Sequence, residues 1–342
     1  MPELVEVENY RQLLLRLKNN NSKKPCPLSI RCPSPTVPRV FLTQSELDTL
    51  QHYIIKDVER KGKLLRLVLL PADAKSERTT INLYLHMGMT GRISTPDYIP
   101  SLESLGETDS FPPPHTHLIL ESNGQRVAYS DPRRFGAISL GDPLSSQWDE
   151  FSTDALNPDA SLEKLVGHRK GVKALLLDQR AIVCGVGNWI ADEILYQSKI
   201  HPDQNYLTTV EVGNLKACLD MVLNTAIECL KAKQKFPNDW IFHRRWSKGK
   251  AGILMDVNGS SISFLKSGGR TSAIVPSIQK KQSRKPLTGA KAIATHKDTS
   301  EDPKKKEKAG GVKPSEADNQ QIKRKAEDGV RPRRRSKRIA EI

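Results

Sequence analysis

The 342-residue sequence predicts an α+β protein in which an N-terminal helix lies on an antiparallel β-sandwich and a helical region follows. Three observations support this class. Between about residues 53 and 140, short runs rich in Val, Ile, Leu and Tyr are separated by turn residues, as antiparallel strands are. From about residue 161 the apolar residues take helical spacing. The chain then returns to two strand-like arms around the turns VNGS and SGGR, and a basic tail follows.

The N-terminal helix is predicted from MPELVEVENY. Pro2 suits the first position of a helix, and Glu3 and Glu6 complement the positive end of the helix dipole. Apolar residues recur at helical spacing as far as Leu17, so we predict a helix that ends near Lys18. On this stretch alone, helix capping explains both carboxylates.

The remaining strands are predicted from apolar runs bounded by turn residues, and the remaining helices from helical spacing of apolar residues. The predicted strands are YIIKDVE, KLLRLVLL, TTINLYLH, HTHLILES, RVAYSD and AISL. The segment KNNNSKKPCPLSIRCPSPTVPR and the Pro-rich residues 96–114 are predicted to be loops. The predicted helices are SLEKLVG, KGVKALLLDQ, GNWIADEILYQ and a long helix from Thr208 to Lys233.

Composition and charge narrow the class of protein. The chain has no apolar run long enough to span a bilayer, and its start is too acidic for a signal peptide, so we expect neither a membrane nor secretion. Five scattered cysteines argue against a disulfide framework.

The net charge of +15 is concentrated in the tail, because residues 280–342 carry 20 Lys and Arg against nine Asp and Glu, a net of +11. The tail has no aromatic residue, so we predict that it is disordered. Its clusters KKK (304–306) and RPRRRSKR (331–338) indicate nuclear import or phosphate binding, and a solvated run of charge is the alternative.

Four further motifs stand in a fixed order: LHMGMTGR at 85–92, DPRRFGAI at 131–138, VGNWIADEIL at 186–195 and SGGRTSAIVP at 267–276. Together with MPELVEVE, this order resembles the formamidopyrimidine-DNA glycosylase and endonuclease VIII (Fpg/Nei) family of DNA glycosylase/AP lyases. The resemblance covers roughly residues 2–280 and is strongest to the plant and fungal branch. It implies a catalytic β-sandwich domain at 2–145, a helix-two-turns-helix DNA-binding domain at 146–236, a hairpin finger at 237–280 and a disordered basic tail at 281–342.

The resemblance also implies a reaction. Once Met1 is removed, the secondary amine of Pro2 would attack C1′ of a damaged nucleotide, form a Schiff base and allow β,δ-elimination. An α-amino group titrates at about 7.7–8.0, so a useful fraction is neutral near pH 7. In the family, Glu3 is the general acid. Glu6 resembles a second carboxylate of the pocket, with capping as the alternative.

Lys63, in ERKGKLLRL, resembles a family lysine that contacts phosphate and assists elimination. The alternatives are a surface lysine or a register that puts Lys61 in this place. The resemblance therefore implies a catalytic set of Pro2, Glu3, Glu6, Lys63 and Arg270.

Several DNA contacts are implied as well. Met89 would fill the duplex where a base has been flipped out, beside Arg133 and Phe135. Glycines before Asn188 would let a phosphate approach, and the first N–H groups of the helix would bind it. Further phosphate contacts are implied for His86, His115 and Arg270.

The finger lacks the ligands of a zinc site. Residues 230–285 contain no Cys and only His243, so four donors cannot be assembled. The pair His115 and His117 lacks a third ligand. We therefore predict a zincless finger, no metal and no cofactor. Strand pairing would hold the finger, with Trp246, Ile262 and Phe264 as candidate packing residues.

The resemblance implies that bacterial members of the family cover a flipped 8-oxoguanine with a longer loop before the finger. Here the segment KQKFPNDW leads directly from the long helix to the finger, so that loop is short. Formamidopyrimidines, other oxidised purines and abasic sites are therefore favoured. Two alternatives stay open: a non-catalytic binder of damaged DNA or chromatin, and an AP lyase with negligible glycosylase activity. We expect a monomer in the nucleus that acts in base-excision repair on double-stranded DNA, with a tail that contacts nucleic acid or an import receptor.

Overall fold

The computed structural model describes residues 2–18, 26–33, 42–73, 79–100, 110–249 and 254–285. The basic tail from residue 286, with both of its charge clusters, lies outside these ranges, as do residues 101–109 of the Pro-rich loop. Predictions for them therefore stay predictions. Among the described helices, none combines the length and the apolar composition that a bilayer crossing requires.

Within the described residues, eight strands form a sandwich of two antiparallel sheets, with orders β1-β6-β7-β5 and β2-β3-β4-β8. The sequence does not predict β1, which lies in a stretch assigned to a loop, or β5, which is only three residues long. The strands are β1 (Ser29–Arg31), β2 (Tyr53–Lys61), β3 (Leu64–Pro71), β4 (Ile81–His86), β5 (Arg92–Ser94), β6 (Thr116–Ser122), β7 (Gln125–Ser130) and β8 (Ala137–Ser139).

The core of the sandwich follows from the two-residue period of its strands. Leu65, Leu67 and Leu69 of β3 lie on one face, and Leu83 and Leu85 of β4 pack beside them in the same buried cluster. Burying each of these side chains contributes about 1.5–3 kcal/mol.

The helices after residue 171 form a second lobe with its own buried core, and the helices at residues 44–50 and 144–150 pack against strands of the sandwich. The sequence does not predict α2 or α3, and SLEKLVG forms only a 3₁₀ turn at Glu163–Leu165. The helices are α1 (Leu4–Leu15), α2 (Gln44–Leu50), α3 (Leu144–Glu150), α4 (Val172–Leu177), α5 (Asn188–Gln197) and α6 (Thr209–Lys231).

Helix α1 belongs to both lobes. Leu4 and Val5 in its first turn pack into the core of the helical lobe. Val7, Tyr10 and Leu14 pack into the core of the sandwich. The start of α1 therefore lies at the junction of the two lobes, which is where the N-terminus is placed.

The finger is an antiparallel hairpin of β9 (Ser263–Ser267) and β10 (Arg270–Ile274). Its first arm was expected to be a strand but forms two 3₁₀ turns, Ile241–His243 and Arg245–Ser247. Of the expected packing residues, Ile262 is buried and Phe264 is partly buried. Trp246 is 46% exposed and contacts the edge of the finger core, with 6.4 Å between its ring centroid and that of Phe242.

The folded part continues beyond the predicted boundary at residue 280. The backbone N–H of Gln282 donates to Gln204 Oε1 at 2.7 Å, and Arg284 forms an ion pair with Glu211 at the start of α6. Residues 282 and 284 therefore contact the helical lobe, and the domain boundary at residue 280 stays a prediction. With antiparallel sheets, an N-terminal helix, a helical lobe and a hairpin, the α+β fold class is confirmed.

Candidate active site

The residue after Pro2 is fixed by the other lobe. Pro2 is buried directly before α1, and Glu3 is the N-cap of that helix. Glu3 Oε1 accepts a hydrogen bond from the N–H of Trp189 at 2.9 Å, and Oε2 accepts one from the N–H of Ile190 at 3.1 Å. These donors are orphan N–H groups in the first turn of α5, whose positive dipole end favours a carboxylate. The N-terminus is thereby anchored to α5.

Two glycines in CGVG permit this approach. A Cβ atom on Gly187 would lie 2.2 Å from Glu3 Cδ, and a Cβ atom on Gly185 would lie 2.2 Å from Leu4 Cδ1. The sequence predicted that these glycines admit a phosphate. In the structure they admit the first turn of α1.

Asn188 opens α5 and joins it to the finger, because its Nδ2 donates to the carbonyl of Thr271 at 3.1 Å. The N–H groups after it were expected to be free for a phosphate. That expectation is wrong, since Glu3 accepts from them. The side chain of Asn188 remains the only predicted phosphate donor at this helix start.

The site raises the pKa of Glu6 to about 7. Burial disfavours the charged form, and the nearby Glu3 carboxylate acts in the same direction. The backbone N–H of Glu3 donates to Glu6 Oε2 at 2.9 Å and opposes the shift. Glu6 thus makes the capping contact that was one of its two expected roles. It can also hold a proton near neutral pH, a role that the sequence assigned to Glu3.

Lys63 lies on the turn between β2 and β3, and its Nζ donates to the carbonyl of Val186 at 3.1 Å. Burial lowers the pKa of Lys63, the carboxylates of Glu3 and Glu6 oppose this, and the guanidinium of Arg270 lowers the pKa further. Three predicted catalytic side chains, those of Glu3, Glu6 and Arg270, therefore lie close enough to Lys63 to change its pKa.

A clamp from the helical lobe holds this turn. Asp154 accepts from the N–H of Gly62 at 2.6 Å and pairs with Arg60, which also donates to the Gly62 carbonyl at 3.0 Å. Lys61 points elsewhere and donates to the backbone of α3. Of the two lysines that the sequence left open, Lys63 is the one that faces the carboxylates.

Arg270 begins β10 immediately after a turn of two glycines. Gly268 and Gly269 have φ values of +54° and +73°, which residues other than glycine rarely adopt. The Arg270 side chain is exposed and close enough to Lys63 to affect its pKa. The finger thus presents a cation to the pocket.

The three predicted wedge residues lie on two exposed loops. Met89 is 37% exposed and Phe135 is 45% exposed. Arg133 lies over the ring of Phe135, with 4.8 Å from Cζ to the centroid. The structure therefore brings an apolar side chain, an aromatic ring and a guanidinium to the surface together.

Buried Asp131 joins the two loops. Its Oδ1 accepts from the Thr90 hydroxyl at 2.5 Å, and its Oδ2 accepts from the N–H of Gly136 at 2.8 Å. No sequence pattern predicts this role for Asp131, although Asp131 opens the motif DPRRFG. Asp154 was also missed, and no motif surrounds it.

The two predicted phosphate-binding histidines have different surroundings. Burial and the charge of Lys63 lower the pKa of His86, and the carboxylate of Asp131 opposes this shift. His115 is exposed at a φ of +60°. His117 is buried, and its Nε2 lies 2.9 Å from the carbonyl oxygen of Asp131. Among the described residues, no group of three His, Cys, Asp or Glu side chains could hold a metal ion.

Removal of Met1 would turn the buried nitrogen of Pro2 into a secondary amine directly before Glu3, whose N–H contacts the Glu6 carboxyl group with its pKa raised to about 7. The same two carboxylates act on Lys63, whose pKa is lowered. A neutral secondary amine is a nucleophile, and the two neighbours can give and take protons. The exposed arginines Arg133 and Arg270 and the exposed apolar side chains of Met89 and Phe135 are residue types that a site for a flipped nucleotide requires.

The chain is similar to known proteins over both lobes. Residues 1–138 match the formamidopyrimidine-DNA glycosylase N-terminal domain, and residues 149–237 match the formamidopyrimidine-DNA glycosylase H2TH domain. A formamidopyrimidine-DNA glycosylase of Arabidopsis thaliana is 33% identical over 297 residues, which cover 82% of this chain and 71% of the relative. One from Paracoccus denitrificans is 32% identical over 248 residues, which cover 66% and 78%.

Solved structures show the same fold. A crystal structure of the Lactococcus lactis Fpg bound non-covalently to DNA with an AP site superposes with a TM-score of 0.58 at 24% identity, over 82% of this chain and all of that one. The MutM (Fpg) protein of Thermus thermophilus gives a TM-score of 0.57 at 25% identity, with the same coverage. From the domain matches, the similarity to the plant relative and the shared fold, the chain belongs to the formamidopyrimidine-DNA glycosylase family.

Proposed function

We propose that this protein is a bifunctional DNA glycosylase/AP lyase of base-excision repair whose nucleophile is the amine of Pro2. The observation that carries the proposal is the convergence of Glu3, Glu6, Lys63 and Arg270 beside the buried start of α1. Family membership supports the same reaction class.

In the proposed reaction, Pro2 is the nucleophile, Glu3 and Glu6 supply a proton, and Lys63 accepts protons. The neutral Pro2 nitrogen attacks C1′, and the base leaves with a proton. Opening of the sugar ring requires a proton on the ring oxygen, which Glu3 and Glu6 supply as a pair, because Glu6 retains a proton near pH 7. The resulting iminium draws electrons from C2′, so loss of a C2′ proton expels the 3′ phosphate, and a second elimination expels the 5′ phosphate. Lys63 is placed to accept protons in these steps.

The proposed substrate is double-stranded DNA with a formamidopyrimidine, another oxidised purine or an abasic site. Flipping the nucleotide out costs a few kcal/mol of stacking, which insertion of Met89 and Phe135 offsets. Arg133 would face the unpaired base, and Arg270 would bind the phosphate of the lesion.

Borohydride trapping tests this proposal. Wild-type protein with Met1 removed should form a covalent complex with abasic duplex, whereas a form that retains Met1, Pro2→Gly and Glu3→Gln should lose trapping or strand cleavage. All four proteins should shift the same duplex in a gel, because the DNA-binding residues are intact. Undiminished cleavage with Met1 retained would rule out the amine mechanism.

The same assay separates the alternatives. A non-catalytic binder would shift the duplex and never trap. An AP lyase with negligible glycosylase activity would trap on abasic duplex and leave formamidopyrimidine and 8-oxoguanine duplexes uncut. Pro2 followed by Glu3 favours the enzyme, because a binder has no need of that pair.

We further propose that the protein acts as a monomer in the nucleus. The candidate site draws all its residues from one chain, from α1, the β2–β3 turn and the finger. The basic clusters at 304–306 and 331–338 support nuclear import or additional contact with nucleic acid. Sedimentation of the free protein and localisation of a fluorescent fusion with and without the clusters test both statements.

A further inference from the structure

A buried ion network lies between the helical lobe and the finger. Asp192 of α5 is its centre: Oδ1 accepts from Lys173 Nζ at 2.5 Å, and Oδ2 accepts from the guanidinium of Arg245 at 2.9 Å. The Lys173 side chain is fully buried, and those of Asp192 and Arg245 are 1% and 5% exposed. Two charges from the helical lobe therefore meet one from the first arm of the finger.

The network also holds the second arm of the finger. Lys173 Nζ donates to the hydroxyl of Ser272 at 2.5 Å, and Asp192 Oδ2 accepts from the backbone N–H of Ala273 at 3.3 Å. Both contacts lie on β10, the strand that Arg270 begins.

A third side chain, that of Asn188, also binds β10. Asn188, one turn before Asp192 on α5, donates to the carbonyl of Thr271. The three consecutive residues after Arg270 are thus each bound by a side chain of α4 or α5. The backbone that carries the Arg270 side chain has little freedom left.

Stability alone is a weak explanation for such a network. Taking ions out of water is costly, and apolar replacements of buried ion pairs are often neutral or stabilising. What directional charged contacts supply, and apolar packing does not, is a fixed orientation.

We propose that Lys173, Asp192 and Arg245 form a positioning network for Arg270, which fixes β10 so that the guanidinium is presented to Lys63 and to a DNA phosphate. None of the three touches the reacting atoms. The inference rests on the proposed function and deepens it, because it explains how the finger presents its cation.

The first test uses the full-length protein without DNA. Hydrogen–deuterium exchange at residues 270–274 should be faster in Asp192→Asn and in Ser272→Ala than in wild type. Ser272→Ala removes a single hydroxyl and so keeps the test valid if Asp192→Asn fails to fold. The matched control is Asp220→Asn, which removes a surface pair with Lys216 on α6. Unchanged exchange of β10 in Ser272→Ala and in any folded Asp192→Asn would overturn the inference, whatever the activity on DNA.

The second test measures affinity for a duplex with a tetrahydrofuran abasic analogue and for undamaged duplex. Ser272→Ala and Asp192→Asn should lower the preference for the lesion, Asp192→Asn by about tenfold, as expected for a misplaced charge-assisted contact. Adding either change to Arg270→Ala should cause no further loss. If the losses of lesion preference in the single variants add fully in the double variant, the network stabilises the fold without acting through Arg270. A wild type without lesion preference would refute the proposed function, and the exchange test would still decide the inference.

Discussion

A Cβ atom on Gly187 would lie 2.2 Å from the Cδ atom of Glu3. The carboxylate of Glu3 accepts hydrogen bonds from the backbone N–H groups of Trp189 and Ile190 in the first turn of α5. Only the hydrogen of a glycine fits between α5 and the start of α1. Because Glu3 follows the proposed nucleophile directly, the position of the Pro2 amine depends on a residue in the other lobe.

Gly187→Ala should therefore damage the chemistry more than the fold. The added methyl displaces Glu3 and with it Pro2, and a displacement of about 1 Å can cost roughly 100-fold in rate. Single-turnover cleavage of abasic duplex measures the loss. The control is Gly213→Ala in α6, where a Cβ meets no atom within 4 Å. It should raise the free energy of unfolding by about 0.5–1 kcal/mol and leave cleavage unchanged. A wild-type cleavage rate in Gly187→Ala would contradict the steric argument.

Glu6→Gln should stabilise the protein at alkaline pH. The Glu6 pKa rises from an ordinary 4.5 to about 7 in the fold, so the folded state holds a proton that the unfolded chain has lost between these pH values. Wild-type stability then falls as pH rises through this window. Gln keeps the contact with the Glu3 N–H and has no such penalty. The gain over wild type in urea unfolding should be on the order of 1 to 2 kcal/mol larger at pH 8 than at pH 5.

The matched control for this change is Glu46→Gln, because Glu46 occupies in the capping box of α2 the position that Glu6 occupies in that of α1. A gain from Glu6→Gln that is equal at pH 5 and pH 8 would show that Glu6 does not hold a proton in the folded state.

Arg270 should lower the pKa of Lys63 even without DNA. Burial is the largest cause of the shift, and the guanidinium adds to it. Arg270→Gln should therefore raise the pKa of Lys63, which NMR titration of ¹³C-methylated lysines measures. Arg284→Gln is the control, because Arg284 pairs with Glu211 instead. An unchanged Lys63 titration in Arg270→Gln would place the finger further from the pocket.

What the sequence could predict follows from what local patterns encode. Runs rich in Val, Ile, Leu and Tyr identified β2, β3 and β4, and helical spacing identified α5 and α6, because each pattern spans several residues. The strand β5 (Arg92–Ser94) contains a single apolar residue and so leaves no such run. The role of the first α5 N–H groups was misassigned because their acceptor, Glu3, is distant in the chain. Asp154 and the Lys173–Asp192 pair were missed for the same reason, since only the tertiary fold brings their partners together.

The zincless finger remains a prediction and has a direct test. Residues 230–285 contain no Cys, and His243 Nε2 lies 3.0 Å from the carbonyl oxygen of Pro237. A structural zinc needs four Cys or His donors. Elemental analysis should find no stoichiometric zinc, and treatment with a chelator should leave cleavage unchanged. One zinc per chain, lost together with activity, would require ligands from elsewhere in the chain.

The basic tail and the residues just before it should contribute differently to DNA binding and to stability. Residues 286–342 carry a net charge of +7, with 16 Lys and Arg against nine Asp and Glu. Truncation after Lys285 should leave cleavage at low salt intact. It should make the salt dependence of DNA binding shallower, because fewer counterions are released. Loss of cleavage at low salt would show that the tail takes part in the chemistry.

Truncation after Lys281 should also destabilise the fold, because it removes Arg284 from its pair with Glu211 in the capping box of α6. The pairing with Arg284 is the largest of the causes that lower the pKa of Glu211 from 4.5 to about 2, and hydrogen bonds from Thr208 add to it. Its contribution is therefore fully present above pH 4.5 and is lost as pH falls toward 2. At pH 7 the shorter protein should be about 1 kcal/mol less stable than the protein truncated after Lys285, and the difference should shrink at pH 3. Equal stability of the two proteins in urea at pH 7 would put the end of the folded part back near residue 280.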